Sequence, residues 1–291
     1  MEFLSLLING ISLGSMYALI ALGYTMVYGI AKMLNFAHGD VIMIGGIATY
    51  EIMSNVTANP AVAVVVSVVV CTVLGITIEK VAYKPLRRAS SLAVLITAIG
   101  VSYLLQNIAL LTFGTANKSY TVKALDFSVG IVKGSAIVNI TAALIIMIAL
   151  SLFMKYSKQG KAMLAVSEDK DAAQLMGINV NSTISLTFAI GSALAGVAGF
   201  LYLGTYGQIG AYSGSMPGIK AFTAAVFGGI GSVPGAMIGG ILLGIIEQTS
   251  RYYLNGVGVG NLTDAFAFVI LIIILLIKPT GIMGKKIQEK V

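Results

Sequence analysis

The chain alternates long, unbroken apolar segments with short polar ones. The apolar segments lie near 3–30, 41–54, 61–79, 92–113, 136–154, 182–206, 217–230, 234–254 and 263–278. A hydrocarbon core about 30 Å thick takes roughly 20 apolar residues per helix, so several segments predict helices that cross a membrane. Three of them, 41–54, 217–230 and 263–278, are short and predict tilted or re-entrant helices. We therefore expect an all-α, polytopic membrane protein with about eight transmembrane helices plus short or re-entrant helices.

The composition excludes an ordinary soluble enzyme. Of the 291 residues, 57% are hydrophobic and 10% are charged, whereas a soluble domain carries about 25% charged residues. The formal net charge of +7 does not indicate nucleic-acid binding in so apolar a chain. We expect residues 1–291 to form a single transmembrane domain that contacts membrane lipid and has no nucleic-acid partner.

Lysine and arginine concentrate in three short polar segments. These are Lys80, Lys84, Arg87 and Arg88; Lys155, Lys158, Lys161 and Lys170; and Lys278, Lys285, Lys286 and Lys290. Short loops rich in lysine and arginine stay in the cytoplasm, so the three segments predict one common cytoplasmic side and a cytoplasmic C-terminus. The N-terminus is external only if all three apolar segments before Lys80 cross.

The polar stretch 155–181 is the longest predicted on the cytoplasmic side. Apolar residues recur in it at roughly helical spacing, namely Met163, Val166, Ala172, Leu175 and Met176. Gly177 is typical of a helix C-terminus. The pattern predicts an amphipathic cytoplasmic helix that docks into a partner's groove; the alternative is a solvated connector.

The residues contain no catalytic constellation. The chain has no Gly-x-x-x-x-Gly-Lys-Ser/Thr phosphate loop, a single histidine (His38) and a single cysteine (Cys71). We therefore predict neither catalysis, nor a metal, nor a cofactor. Glu247 lies inside an apolar run, and an ion pair with Arg251 at i, i+4 is favoured there over an ion-coupling role. The energy for any transport is then expected to come from another subunit.

Two polar clusters are candidates for a translocation pathway. Asn35, His38 and Asp40 directly precede an apolar run, and Gln106 and Asn107 lie inside another. The first cluster is either a capped loop or part of a pore. Buried amides such as the second pair more often bridge helices than bind a solute, and both alternatives stay open.

Two further patterns in the sequence involve glycine. Pro217 and Pro234 each follow a serine by two residues, as at a helix start, and the glycines between them predict a break. Gly229, Gly231 and Ser232 in this link are pathway candidates, although a plain tight turn is the alternative. Glycines four residues apart also occur inside spans and predict close helix packing; they are Gly10 with Gly14, Gly235 with Gly239, and Gly240 with Gly244.

Three motifs occur in order along the chain. They are Leu34-Asn35-Phe36-Ala37-His38-Gly39-Asp40, Glu79-Lys80-Val81-Ala82-Tyr83-Lys84-Pro85-Leu86-Arg87 and Phe227-Gly228-Gly229-Ile230-Gly231-Ser232-Val233-Pro234-Gly235-Ala236. With these motifs the chain resembles, over essentially its full length, the LivH-type permease subunits of branched-chain amino acid ABC importers. The resemblance implies a multi-pass permease of the bacterial inner membrane that forms the translocation pathway for leucine, isoleucine and valine.

The resemblance also implies partners. Such a permease works with a second, LivM-like permease, two cytoplasmic ABC ATPases and an extracytoplasmic binding protein that delivers the solute. The ATPases would hydrolyse ATP, so this chain itself is not expected to be an enzyme. Urea, short amides or nucleosides are alternative substrates on the same scaffold. A stand-alone channel or ion-coupled carrier that uses Glu247 is the alternative from another class.

Permeases of this kind carry a cytoplasmic pattern Glu-Ala-Ala-x-x-x-Gly. The chain has Asp171, Ala172, Ala173 and Gly177 at the matching positions, with aspartate in place of glutamate. The later Ile-x-Leu-Pro part of the pattern is absent. The resemblance therefore implies a coupling role towards the ATPases for these four residues and the nearby Glu168.

Overall fold

The structure is a computed structural model that describes residues 2–87, 89–130, 132–256, 258–278 and 280–284. Within these residues the helices are α1 (Glu2–Ala31), α2 (His38–Asn55), α3 (Pro60–Ile78), α4 (Ser91–Phe113), α5 (Gly134–Tyr156), α6 (Lys158–Glu168), α7 (Lys170–Leu175), α8 (Val180–Tyr206), α9 (Ser215–Gly228), α10 (Val233–Gly256) and α11 (Thr263–Ile277). A π-helical turn, Glu79–Tyr83, extends α3. Four two-residue strands pair as two antiparallel ladders, β1 (Lys118–Ser119) with β4 (Gln208–Ile209) and β2 (Ser128–Val129) with β3 (Val132–Lys133).

The predicted all-α membrane architecture is confirmed. Six helices of the described chain are long and apolar enough to cross a membrane, at Phe3–Ala31, Pro60–Leu86, Ser91–Phe113, Gly134–Tyr156, Val180–Tyr206 and Val233–Gly256. The shorter apolar helix α11 joins them, and α2 and α9 complete the bundle. The expected number of eight transmembrane helices is not confirmed by this count.

Helix α1 is the centre of the bundle and packs against α5, α8, α9 and α10. The predicted close packing of glycines occurs between α1 and α10. A Cβ atom placed on Gly244 would lie 2.1 Å from the backbone nitrogen of Gly14, and one on Gly240 would lie 2.5 Å from the Cα of Ala18. Small residues let the two backbones approach closely, which is how helices gain dispersion energy in a lipid environment.

Two shorter helices, α2 with 18 residues and α9 with 14, begin inside the bundle and run in opposite directions. The first turn of α2 lies against the first turn of α9, since a Cβ on Gly39 would lie 2.6 Å from the carbonyl oxygen of Gly214. From there α2 runs to the end of the bundle that carries β1, where Glu51 meets Lys118. Helix α9 runs to the opposite end. These helices correspond to the short apolar segments of the sequence.

The C-terminus of α1, the helices α6 and α7, and the end of the described chain lie together at the end of the bundle opposite to β1. Lys170 of α7 contacts the last residue of α1. The backbone N–H groups of Ile282 and Met283 donate to the carbonyl oxygens of Phe227 and Gly228 at the end of α9. Residues of all three basic segments therefore lie at one end of the bundle; Arg88, Lys285, Lys286 and Lys290 fall outside the described residues.

Candidate functional site

Helices α6 and α7 form a short element that we call the coupling element. The Ser157 hydroxyl caps α6 by accepting from the backbone N–H of Gly160, at 2.8 Å. Met163 and Val166 of α6 are fully buried. The sequence predicted one amphipathic helix within 155–181. The structure has two, because the carboxylate of Asp169 accepts from the first backbone N–H groups of α7 and starts a new helix there.

Most of the predicted coupling residues face outward. Glu168, Asp171, Ala172 and Gly177 are exposed, and Ala173 is buried. Next to them Leu175 and Met176 are 89% and 83% exposed. An acidic residue beside two exposed apolar side chains is typical of a surface that docks a partner.

Gly177 ends the coupling element, as predicted. It has φ +83°, a left-handed conformation that glycine adopts without steric strain. Its N–H donates to the carbonyl of Gln174, and the N–H of Ile178 donates to the carbonyl of Ala173, both at 3.0 Å. These bonds satisfy the free carbonyl groups of the last turn of α7.

Lys170 ties the coupling element to the bundle. Its ammonium group donates to the backbone carbonyl oxygen of Ala31, the last residue of α1, at 2.9 Å. Burial and the nearby charges of Arg87 and Lys32 lower the pKa of Lys170, while Asp171 acts in the opposite direction. A cation at a helix C-terminus is favourable, so this contact caps α1.

A second network joins the π-helical turn to α8 at the same end. The buried carboxylate of Glu79 pairs with Arg87 and accepts from the hydroxyl of Ser185 at 2.7 Å. The hydroxyl of Tyr83 donates to Asn35 Oδ1 at 2.9 Å. Asn35, a predicted pathway residue, thus anchors the loop between α1 and α2.

The structure brings Asp40 and Gln106, which belong to two separate predicted clusters, into one cluster that we call the polar pocket, formed by Asp40, Ser102, Gln106 and Ser215. The carboxylate of Asp40 accepts from the hydroxyl of Ser102 and, at 3.0 Å, from the amide of Gln106. The same amide lies 3.3 Å from the hydroxyl of Ser215. These four side chains line a cavity of about 290 Å³, which lies where the first turns of α2 and α9 meet α4.

The other predicted pathway residues lie elsewhere. His38 is buried between Gly23 and the ring of Tyr24, and its Nε2 has no hydrogen-bond partner in the described chain. Asn107 is exposed and donates to the carbonyl of Tyr103 in its own helix. These two side chains do not line the cavity.

The glycine link between α9 and α10 is a tight turn. Gly229 and Gly231 have φ +104° and +96°. The hydroxyl of Ser232 accepts from the N–H of Gly235 at 3.2 Å and starts α10. The turn lies beside Gly29 near the end of α1, away from the polar pocket, so its three predicted residues form a helix connection.

Glu247 is the centre of a buried charge cluster. The predicted pair with Arg251 is present at 2.9 Å, and Lys220 of α9 also contacts the Glu247 carboxylate at 2.9 Å. Lys220 further pairs with Asp264 of α11 at 2.7 Å, and the hydroxyl of Tyr17 donates to Glu247 at 2.9 Å. The cluster therefore ties α1, α9, α10 and α11 together.

Sequence reasoning did not single out Ser102, Ser215 or a role of Lys170 beyond its charge. Ser102 precedes Gln106 by four residues, so the two share one face of α4. That spacing could have identified Ser102 from the sequence. Within the described residues no group of three or more histidine, cysteine, aspartate or glutamate side chains is placed to hold a metal ion.

Comparison with known proteins gives the family. A family model described as "Branched-chain amino acid transport system / permease component" matches residues 6–275. The chain is 45% identical to the high-affinity branched-chain amino acid transport system permease protein LivH of Escherichia coli (strain K12), over 99% of this chain and 98% of that protein. It is 42% identical to the corresponding permease protein BraD of Pseudomonas aeruginosa, over 100% and 98% of the two chains.

The fold also resembles a solved structure. PsaBC from Streptococcus pneumoniae in complex with Fab contains a chain that matches with a TM-score of 0.50 and 16% identity, covering 94% of this chain and 91% of that chain. At this identity the likeness concerns the fold alone. The family match over nearly the whole sequence is decisive: the chain belongs to the permease components of branched-chain amino acid transport systems.

Proposed function

We propose that this chain forms part of the translocation pathway of an ATP-driven importer for leucine, isoleucine and valine. The family and the two relatives named for branched-chain amino acid transport support this substrate class. The single observation that carries the mechanism is the link from the exposed coupling element, through Lys170, to the C-terminus of the central helix α1. Such a link transmits a force applied from outside the bundle to its core.

One of the two ABC ATPases docks on the coupling element in this proposal, and the other docks on the second permease. Asp171, Leu175 and Met176 offer an acidic and apolar surface, and Gly177 lets the chain turn sharply behind it. The basic residues at this end favour the cytoplasm, so the C-terminus is cytoplasmic and the N-terminus is external. The chain then lies in the bacterial inner membrane with the ATPases beneath α6 and α7.

The extracytoplasmic binding protein docks at the opposite end. A cavity of about 470 Å³ opens there between the loop that follows β1 and the end of α8, with Asp126, Lys133 and Tyr206 in its wall. A second, LivM-like permease covers the apolar face of α4. That face needs a cover because the polar pocket opens beside Ile99 and Tyr103, which are 42% and 63% exposed, and a buried carboxylate is unfavourable next to lipid.

Transport then follows from one movement. Closure of the ATPases displaces α7, and Lys170 carries the displacement to α1. The first turns of α2 and α9, which lie against α1 and against each other, respond by opening the polar pocket to one side or the other. Asp40 and Gln106 are the pathway residues that the geometry favours, because they line the cavity where α2 and α9 meet.

The Glu247 cluster argues against an ion-coupled carrier. Two cationic side chains and a tyrosine hydroxyl bind the carboxylate of Glu247. A carboxylate that takes up and releases a coupling ion needs free coordination sites, and this one is engaged on several sides. The buried charges therefore favour a structural role.

Purification of the tagged chain from its native host in mild detergent, followed by mass spectrometry, tests the proposal. Recovery of a second permease, ATPases with phosphate-loop motifs and a binding protein in the presence of leucine is expected. Recovery of the chain alone, with ATP-independent transport activity, would contradict it. Competition of leucine uptake by urea, amides or nucleosides separates the alternative substrates.

A further inference from the structure

Three carboxylates of the described chain are almost completely buried, and one of them differs from the others. Glu79 pairs with Arg87, and Glu247 pairs with Lys220 and Arg251. Asp40 is 2% exposed, yet the groups that contact it within the described residues are the neutral hydroxyl of Ser102 and the neutral amide of Gln106. A buried charge without a counter-ion is costly, so a bound cation would stabilise this site.

The Asp40 carboxylate has acceptor capacity left. An ionised carboxylate accepts about four hydrogen bonds, and two are made here. Asp40 lies in the first turn of α2, where the helix dipole favours a negative charge. The side chain therefore combines a position in the first turn of its helix with free lone pairs at the wall of a cavity.

The cavity has the size and the lining of a small-solute site. Its volume is about 290 Å³, at the lower end of the ~300–1,000 Å³ range of ligand pockets. Apolar side chains of Phe36, Ile99 and Ile219 face the same space as the carboxylate. One wall thus carries Asp40 with the polar side chains of Ser102, Gln106 and Ser215, and the rest of the lining consists of glycine, aliphatic and aromatic residues.

We propose that the Asp40 carboxylate receives the ammonium group of the amino acid during translocation, while the aliphatic side chain packs against Ile99 and Ile219. This inference rests on the proposed function and names the chemical group that the pathway recognises. It follows that the permease itself, in addition to the binding protein, discriminates against uncharged solutes such as urea, because these leave the buried carboxylate without a counter-charge.

Leucine uptake by the complete transporter in proteoliposomes tests the inference, with the ATPase rate measured in the same samples. Asp40→Asn is expected to lower ATP-driven uptake at least tenfold while the ATPase rate stays within twofold of the wild type. Glu51→Gln, the same kind of exchange at the exposed end of the same helix, is expected to leave both unchanged. Wild-type uptake with Asp40→Asn, or an equal loss with Glu51→Gln, would overturn the inference.

A second variant keeps the inference testable if Asp40→Asn does not assemble. Ser215→Cys places a small thiol at the cavity wall, while the native Cys71 is buried and does not line the cavity. The cationic reagent 2-aminoethyl methanethiosulfonate is expected to modify this thiol at least tenfold faster than the anionic 2-sulfonatoethyl reagent. Similar rates for the two reagents would overturn the inference. Absence of ATP-driven leucine uptake by the wild-type complex would instead contradict the proposed function.

Discussion

The ammonium group of Lys170 donates to the backbone carbonyl oxygen of Ala31 across 2.9 Å, and joins the first residue of α7 to the last residue of α1. The backbone leaves the helix directly after this contact, since Lys32 has φ +58°, the one left-handed conformation of a non-glycine residue in the described chain. The coupling element therefore holds the end of the central helix at the point where the chain turns back towards α2.

Replacement of Lys170 tests this link. Lys170→Met keeps the length of the side chain and removes the donor, so ATP hydrolysis should persist while leucine uptake falls about tenfold. A hydrogen bond of a charged donor contributes roughly 1.5–3 kcal/mol, which is sufficient for such a change. The ratio of solute transported to ATP hydrolysed is the measurement. Lys158→Met, at an exposed position of α6, is the control, and equal ratios in the two variants would contradict a specific role.

The turn at Gly177 can be tested with two substitutions at the same position, one of which serves as the control. No atom of the described residues, beyond Gly177 and its chain neighbours, lies within 4 Å of a Cβ at this position, so a substitution there acts through the backbone and not through a clash. Gly177→Val should reduce uptake strongly without loss of membrane insertion, because a left-handed conformation costs a bulky residue roughly 1–2 kcal/mol. Gly177→Asn should be much milder, since asparagine tolerates this conformation. Uptake at the wild-type level in the valine variant would show that the turn has no part in coupling.

Removal of the central charge of the Glu247 cluster should destabilise the bundle. Glu247→Gln leaves two cations around a neutral side chain, and breaking a buried ion pair in this way costs about 3–5 kcal/mol. The midpoint of thermal unfolding in detergent should fall clearly, whereas Glu51→Gln should change it little. If the Glu247→Gln protein keeps its stability but loses transport, the cluster has a functional role that the account does not assign.

Because α1 and α10 are in close contact, we expect two glycine-to-alanine substitutions in α10 to change the stability of the protein by different amounts. Gly244→Ala forces a methyl group against the backbone of Gly14 and should destabilise the chain by about 1–3 kcal/mol. Gly256→Ala, in the same helix but with open space around it, should have little effect or stabilise slightly. The measurement is the midpoint of thermal unfolding of the two variants in parallel. Equal midpoints would contradict tight packing at Gly244.

Sequence alone predicted the architecture well where the signal was local. Apolar run length gave the membrane helices, and the spacing of Gly240 and Gly244 gave the packing face. The spacing of Glu247 and Arg251 gave their ion pair. Each of these depends on residues close together in the chain, so that helical periodicity is sufficient to place them.

The site was harder to predict because it depends on long-range contacts. Asp40 and Gln106 were separate candidates in the sequence, and Ser215 reaches the Gln106 amide from a helix more than 100 residues later. The break at Asp169 was missed although its signal is local, since aspartate is a preferred N-cap residue and here accepts from the N–H groups of Asp171 and Ala172. For Gly229, Gly231 and Ser232 the sequence left a pathway role and a plain tight turn open, and the structure shows a tight turn beside Gly29.

ATP dependence of leucine uptake is the most direct test of the whole account. The complex purified through this chain is reconstituted in proteoliposomes with its binding protein, and radiolabelled leucine is followed with ATP, with ADP, and with ATP but without the binding protein. The account predicts accumulation against a gradient only when ATP and the binding protein are both present. Accumulation by the chain alone, driven by an ion gradient without ATP, would contradict it.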